Sequence, residues 1–109
     1  MAIEVKLLAV AKVSDSEDSI YNSPGGKATI VKSMRFTNTH TAAATLELWV
    51  TQDGGTSKYR ISPVNLSLSA GTTYVDDHEI TLDENDDIFA ESDTDEVIEV
   101  VISGVQRDV

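Results

Sequence analysis

Ala44-Thr45-Leu46-Glu47-Leu48-Trp49-Val50-Thr51 alternates without a break, with Leu46, Leu48 and Val50 on one side of an extended chain and Thr45, Glu47, Trp49 and Thr51 on the other. Successive strand side chains point to opposite faces, so a period of two marks a strand with one buried face. Asp53-Gly54-Gly55 follows. These residue types tolerate the positive φ that a tight hairpin loop needs. A strand closed by such a turn sets the grammar for the rest of the chain.

Outward from this segment, strand and turn signals recur at short intervals. Ile3–Val13 predicts a first strand, and Ser14–Ser19 a polar loop. Ile20 and Tyr21 lead into the turn Ser23-Pro24-Gly25-Gly26, where proline presets one backbone angle and glycine supplies positive φ. Lys27–Asn38 is a long strand candidate that would extend ~40 Å if straight, against a radius of gyration near ~13 Å for a domain of this size. Lys32 falls in phase with Ile30, Met34 and Phe36, so a bulge near Val31–Ser33 is expected to turn the lysine outward. Ser57–Ile61, Val64–Leu68, Thr73–Val75, His78–Leu82, Ile88–Ala90 and Glu96–Val105 complete the set. No window of eleven or more residues carries an apolar stripe at helical spacing. The expectation is all-β: one domain over residues 1–109, an antiparallel β-sandwich, Ig-like or jelly-roll-like, of seven to nine strands. Met34, Phe36, Leu46, Leu48 and Ile80 are its predicted core.

The 109 residues include no cysteine, which excludes disulfides, Cys-type zinc sites and thiol nucleophiles. Met1–Val10 has too short an apolar stretch for a signal peptide, and no run reaches the ~20 apolar residues of a membrane-spanning helix. A soluble protein is expected. Net charge is −11, and its distribution is uneven. Residues 1–60 carry a balance of +1, whereas residues 61–106 hold twelve acids and no Lys or Arg. Nucleic acid and anionic membranes are therefore poor partners, because both need clustered cations.

Motifs for chemistry are incomplete. Ser67-Leu68-Ser69-Ala70-Gly71 has serine where a nucleophile elbow requires glycine, and no helix follows. Pro24-Gly25-Gly26-Lys27 lacks the first glycine and the following Ser or Thr of a phosphate loop. His40 lies in a predicted loop and His78 at a strand start. Asp83, Asn85 and Asp87 begin with the spacing of a calcium loop, but Ile88 stands where that loop needs glycine and Thr94 where it needs the bidentate glutamate. These three are weak metal candidates at most; no cofactor and no enzymatic activity are expected.

Protein contact is the better prospect. Trp49 lies off the core face of its strand, either under a covering segment or as an anchor for another chain. Val97, Val101 and Val105 alternate with Ile98, Val100 and Ile102, so the last strand is apolar on both sides. Such a strand is covered within the domain or by a neighbouring subunit. Trp49, Val97, Val101 and Val105 are thus interface candidates, and the acidic segment from Ile61 to Gln106 favours a basic patch on the partner.

The order of segments adds a resemblance. Ile20-Tyr21-Asn22-Ser23-Pro24-Gly25-Gly26-Lys27 leading into a strand that ends at Asn38-Thr39 resembles small virion proteins of tailed phages. Leu68-Ser69-Ala70-Gly71-Thr72-Thr73-Tyr74, Ile80-Thr81-Leu82 with Asp87-Ile88-Phe89-Ala90, and Val101-Ile102-Ser103-Gly104-Val105 are similar to their later turns and strands. The usual glycine between Leu82 and Asp87 is replaced here by Glu84-Asn85-Asp86. The resemblance implies a β-sandwich subunit located on the virion, a capsid decoration or cement protein. Its partners would be other virion proteins (the major capsid protein or tail components), and it would be a homo-oligomer on the particle. A tail, baseplate or fibre-associated module is the alternative, and a carbohydrate- or calcium-binding module the alternative of another class.

Overall fold

A computed structural model describes residues 3–109, and among them there is no helix. Ten strand segments form two antiparallel sheets: β1 (Ile3–Lys12), β2 (Asp18–Asn22), β3 (Lys27–Asn38), β4 (Ala44–Thr51), β5 (Tyr59–Arg60), β6 (Leu66–Leu68), β7 (Thr73–Asp76), β8 (Ile80–Leu82), β9 (Asp87–Glu91) and β10 (Ile98–Asp108). One sheet runs β1-β10-β3-β7, with β8 also paired to β3; the other runs β2-β9-β4-β5, with β6 also paired to β4. Ten segments exceed the expected seven to nine because two strand positions are broken. β7 and β8 pair with successive stretches of β3, and β5 and β6 with successive stretches of β4. The segments therefore fill eight positions, four per sheet. With first and last strands adjacent in one sheet and the chain crossing repeatedly between sheets, this is the order of a jelly roll.

The core lies between the sheets. Met34, Phe36, Leu46, Leu48, Ile88, Ile98 and Ile102 are fully buried, and Ile80 is partly buried against them. Polar groups close both ends of the sandwich. Buried Asn38 donates from Nδ2 to the carbonyls of Ala42 and Leu68, both at 3.0 Å, and accepts at Oδ1 from the His40 N–H at 2.9 Å. At the opposite end Thr29 Oγ1 lies 3.1 Å from the Tyr21 hydroxyl and 3.0 Å from that of Ser23, while Gln106 Nε2 donates to Tyr21. Burying these groups is tolerable because they satisfy one another.

The expected bulge is present. β3 and β10 pair continuously from Ile98↔Asn38 to Ser103↔Ser33, then resume at Gly104↔Val31, which leaves Lys32 as the extra residue. Lys32 turns out to solvent and pairs with Glu79. The extra residue resets the alternation, so Val31 and Met34 both face the core and Ile30 goes to the outer face with Ser33 and Arg35. β1 has its own register shift, between Leu7 and Ala9. Gly104 sits between the two bulges.

A β-carbon on Gly104 would lie 2.1 Å from the Ile30 carbonyl oxygen and 3.1 Å from Leu8 Cδ1. Gly104→Ala is expected to destabilise by at least about 3 kcal/mol, the upper end for overpacking, because backbone rather than a side-chain tip must move. Leu48→Ala should lose roughly 2–5 kcal/mol, as buried leucine deletions do. Urea unfolding of both variants measures the losses.

Candidate interaction surface

The two outer faces of the sandwich differ in chemistry. On the sheet containing β4, Trp49 pairs with Phe89 on one side and Arg60 on the other. The Arg60 guanidinium lies 5.2 Å from the Trp49 ring centre and donates to Glu47 at 3.3 Å. The Lys58 ammonium stands 5.6 Å from the Phe89 ring centre and 2.9 Å from Glu17. Trp49 is half-buried, and a cation from the next strand partly covers it, in place of a loop or terminal strand. Such cation–aromatic contacts are modestly stabilising at exposed positions.

The outer face of the β1-β10-β3-β7 sheet is largely uncovered. Val101 and Val105 point outward from β10, while Ile98, Val100 and Ile102 point into the core. The last strand is therefore buried on one side only. Val105 pairs with Val5 and Val101 with Val10. Ile3, Val5, Leu7 and Val10 are 67%, 84%, 56% and 67% exposed, and Val75 of β7 and Val101 are 50% and 40% exposed. Together they make an apolar stripe across the open edge strand β1 and its neighbours, of the kind that marks a contact site. Lys12, Arg35 and Arg107 share this face with Glu99.

Of the four interface candidates from sequence, only Val101 and Val105 lie on this stripe. Trp49 is on the opposite side of the sandwich, and Val97 precedes β10 and packs partly against the core. None of the four candidates lies on β1. Its signal was present: Ile3, Val5 and Leu7 alternate with Glu4 and Lys6. That pattern is ordinarily taken as core-facing, and here it is turned outward.

Several of the acids are engaged in turns at the ends of the sandwich. In the turn Asp83–Asp87, the Asp86 carboxylate accepts from the N–H groups of Asp53 and Asp83, both at 2.9 Å. Glu84 accepts from the Gly26 N–H at 2.6 Å, and Asp87 from the Ser19 hydroxyl at 2.8 Å. Asn85 takes the left-handed conformation, φ 66°, that glycine usually supplies. Asp83, Asn85 and Asp87 thus lie in a turn capped by the carboxylates of Asp86 and Glu84, and among the described residues no three His, Cys, Asp or Glu side chains gather to hold a metal ion. At the other end Asp93 accepts from the Thr45 N–H at 3.0 Å, and this hydrogen bond holds its carboxyl below the ordinary range. His78 is solvent-exposed, with Nδ1 3.5 Å from Asp76.

No protein-family model matches the chain, and no curated protein matches it. Among solved structures it is similar to a chain in the structure of the infectious bursal disease virus Gx strain. That match has a TM-score of 0.51 and 11% identity over 96% of this chain and 32% of that one. It is also similar to two crystal structures of a pentameric capsid protein isolated from metagenomic phage sequences. Their TM-scores are 0.42 and 0.38 and their identities 20% and 19%, over 95% of this chain and 63% and 64% of theirs. The chain thus spans about a third of the viral chain and just under two thirds of the phage chains. The likeness is one of fold.

Millimolar Ca²⁺ is expected to leave the melting temperature unchanged, since a specific site would raise it by linkage. The Asp93 contribution to stability is complete above the ordinary carboxylate range, because its folded pKa is the lower one, and it is lost as pH falls through that lowered value. Asp93→Asn should therefore flatten the acid limb of a stability-versus-pH curve measured by thermal melting.

Proposed function

We propose that this chain is a structural subunit of a virus particle, a decoration or cement protein of a phage capsid, attached through the outer face of the β1-β10-β3-β7 sheet. The observation that carries the reading is that stripe: Val5, Val10 and Leu7 in water on a domain whose core is otherwise closed. A jelly roll is an architecture of viral capsid domains, and of lectins and cupins as well. The fold likeness to the bursal disease virus chain supports the viral member of that set.

The face also indicates what kind of surface would receive it. Lys12, Arg35 and Arg107 stand around the stripe against Glu99, in a chain of net charge −11. The matching patch on the shell would be apolar with an acidic margin, the reverse of the basic patch that charge along the sequence favours. Acidic end loops would discourage other approaches through like-charge repulsion. Burying each valine or leucine of the stripe would contribute ~1.5–3 kcal/mol, enough collectively for a durable contact.

The test is add-back of purified protein to particles that lack it. Wild type should attach, with association slowed by salt but affinity largely retained. Val10→Asp and Val101→Asp should abolish attachment while melting normally, and Trp49→Ala should attach like wild type. Attachment lost only in Trp49→Ala would move the docking face to the other sheet. Copy number per particle separates shell from tail: hundreds for a shell protein, a few dozen or fewer for a tail module.

A further inference from the structure

β1 ends its sheet, and no strand pairs with its other edge among the described residues. An open edge is a template for another strand, and proteins usually blunt it with proline, bulges or charge. Here the outer half of the edge, Ile3-Glu4-Val5-Lys6-Leu7, carries no proline, its first irregularity comes only after Leu7, and its two charges, Glu4 and Lys6, are opposite in sign. Ile3, Val5 and Leu7 include the most exposed large hydrophobic side chain of the described residues, Val5 at 84%.

The segment is also complementary to itself. Place a second copy antiparallel against it with Val5 opposite Val5. Ile3 then faces Leu7, and Glu4 faces Lys6, twice over by symmetry. Residues directly opposite in a ladder share a face, so the apolar side chains of both copies stay outward and the charged pairs stay on the other face. Slipping by one residue would set outward side chains against inward ones. Slipping by two in either direction would put Glu4 against Glu4 or Lys6 against Lys6, and like charges directly opposite are destabilising. One register survives. At present Glu4 lies 3.6 Å from Lys6 and 3.8 Å from Lys27 of its own chain, with both side chains of the Glu4–Lys6 pair about half exposed, so these groups can meet a partner at little cost.

We infer that two copies of this chain associate through β1, antiparallel and centred on Val5, in a two-fold contact that joins their sheets into one. The contact is isologous, with each copy using the same patch. The register shift after Leu7 ends the ladder and limits it to five residues. The pairing also sets the two apolar stripes side by side and doubles the width of the surface offered to a third chain. It does not depend on the virion reading, because it is formed and measured in solution.

Sedimentation equilibrium on the full chain, across concentrations, tests it. Wild type should show a concentration-dependent monomer–dimer equilibrium. Glu4→Lys alone and Lys6→Glu alone should each weaken the dimer about tenfold, since each turns two facing pairs into like charges. The double exchange Glu4→Lys with Lys6→Glu should restore it. Because the chain has no cysteine, Val5→Cys supplies a single thiol at the axis. A short bifunctional thiol reagent should cross-link it at a rate far above that of Val10→Cys, which lies beyond the register shift. A wild type that stays monomeric at all concentrations overturns the inference. So do single reversals that leave the dimer intact, or equal cross-linking at both positions. Circular dichroism of each variant separates a lost contact from a lost fold.

Discussion

The close approach of Gly104 to the Ile30 carbonyl is the constraint on which the longer sheet depends. An added β-carbon would lie only 2.1 Å from that oxygen, so the position admits glycine alone. The bulges meet at that point: the extra residue Lys32 in β3, the shift beside Leu8 in β1, and the break between Asp76 and Ile80 on the far side of β3. They line up across the sheet on either side of Gly104. A bulge strengthens local twist and bends its strand. Twelve- and eleven-residue strands can in this way stay against a second sheet whose longest strand has eight. The same shift keeps Val31 on the core face together with Met34, a phase that a straight strand would have lost.

Part of the negative charge in this protein serves its turns. Asp86 bridges two loops through backbone N–H groups, Glu84 holds the turn at Gly26, and Asp93 and Thr45 exchange hydrogen bonds at the other end. Carboxylates that accept backbone N–H bonds are tied in place, which accounts for much of the acid run near residue 85 without a ligand. The cations lie along strand edges instead. Lys27 reaches Asp108 and Glu4 and so links β1, β3 and β10. The division of charge along the sequence is thus partly undone in space. The last strand brings its acids beside cations of the first half.

Much of this was legible from residues alone, for physical reasons. The bounds of β3 and β4 follow from turn chemistry, because Gly26, Asn38 and Asp53-Gly54 mark places where the chain must leave the extended region. Asp53 and Gly54 both have positive φ, 45° and 70°, in a tight turn closed by the Gly55 N–H on the Gln52 carbonyl, within a longer connection to β5. The Lys32 bulge was legible because a lysine in a core phase has few other outcomes. Strand order was not, since alternation says that a strand has two faces and nothing about which strand lies beside it. The place of Val97 was not legible for a related reason. It continues the alternation of the last strand, yet it lies before β10, where its carbonyl accepts from the Thr39 N–H and its side chain turns toward the core.

β1 shows where the period of two stops being informative. In β4 the apolar phase, Leu46 and Leu48, faces the other sheet and is fully buried. In the first half of β1 the apolar phase, Ile3, Val5 and Leu7, faces water, and Glu4 and Lys6 take the inward side. The two segments look alike as sequence. They differ because the second sheet is shorter and leaves that part of β1 without a layer beneath it. Charged side chains there can reach solvent from the inward side, so the usual cost of burying them does not arise. What remains unbalanced is the outer side, where three large apolar side chains stand on an edge with free backbone groups. The stripe offers apolar area and the edge offers a template for strand pairing, the two elements that the proposed contacts use. An inverted alternation on an edge strand therefore combines two features, outward apolar side chains and an open strand edge, that a lone exposed valine lacks.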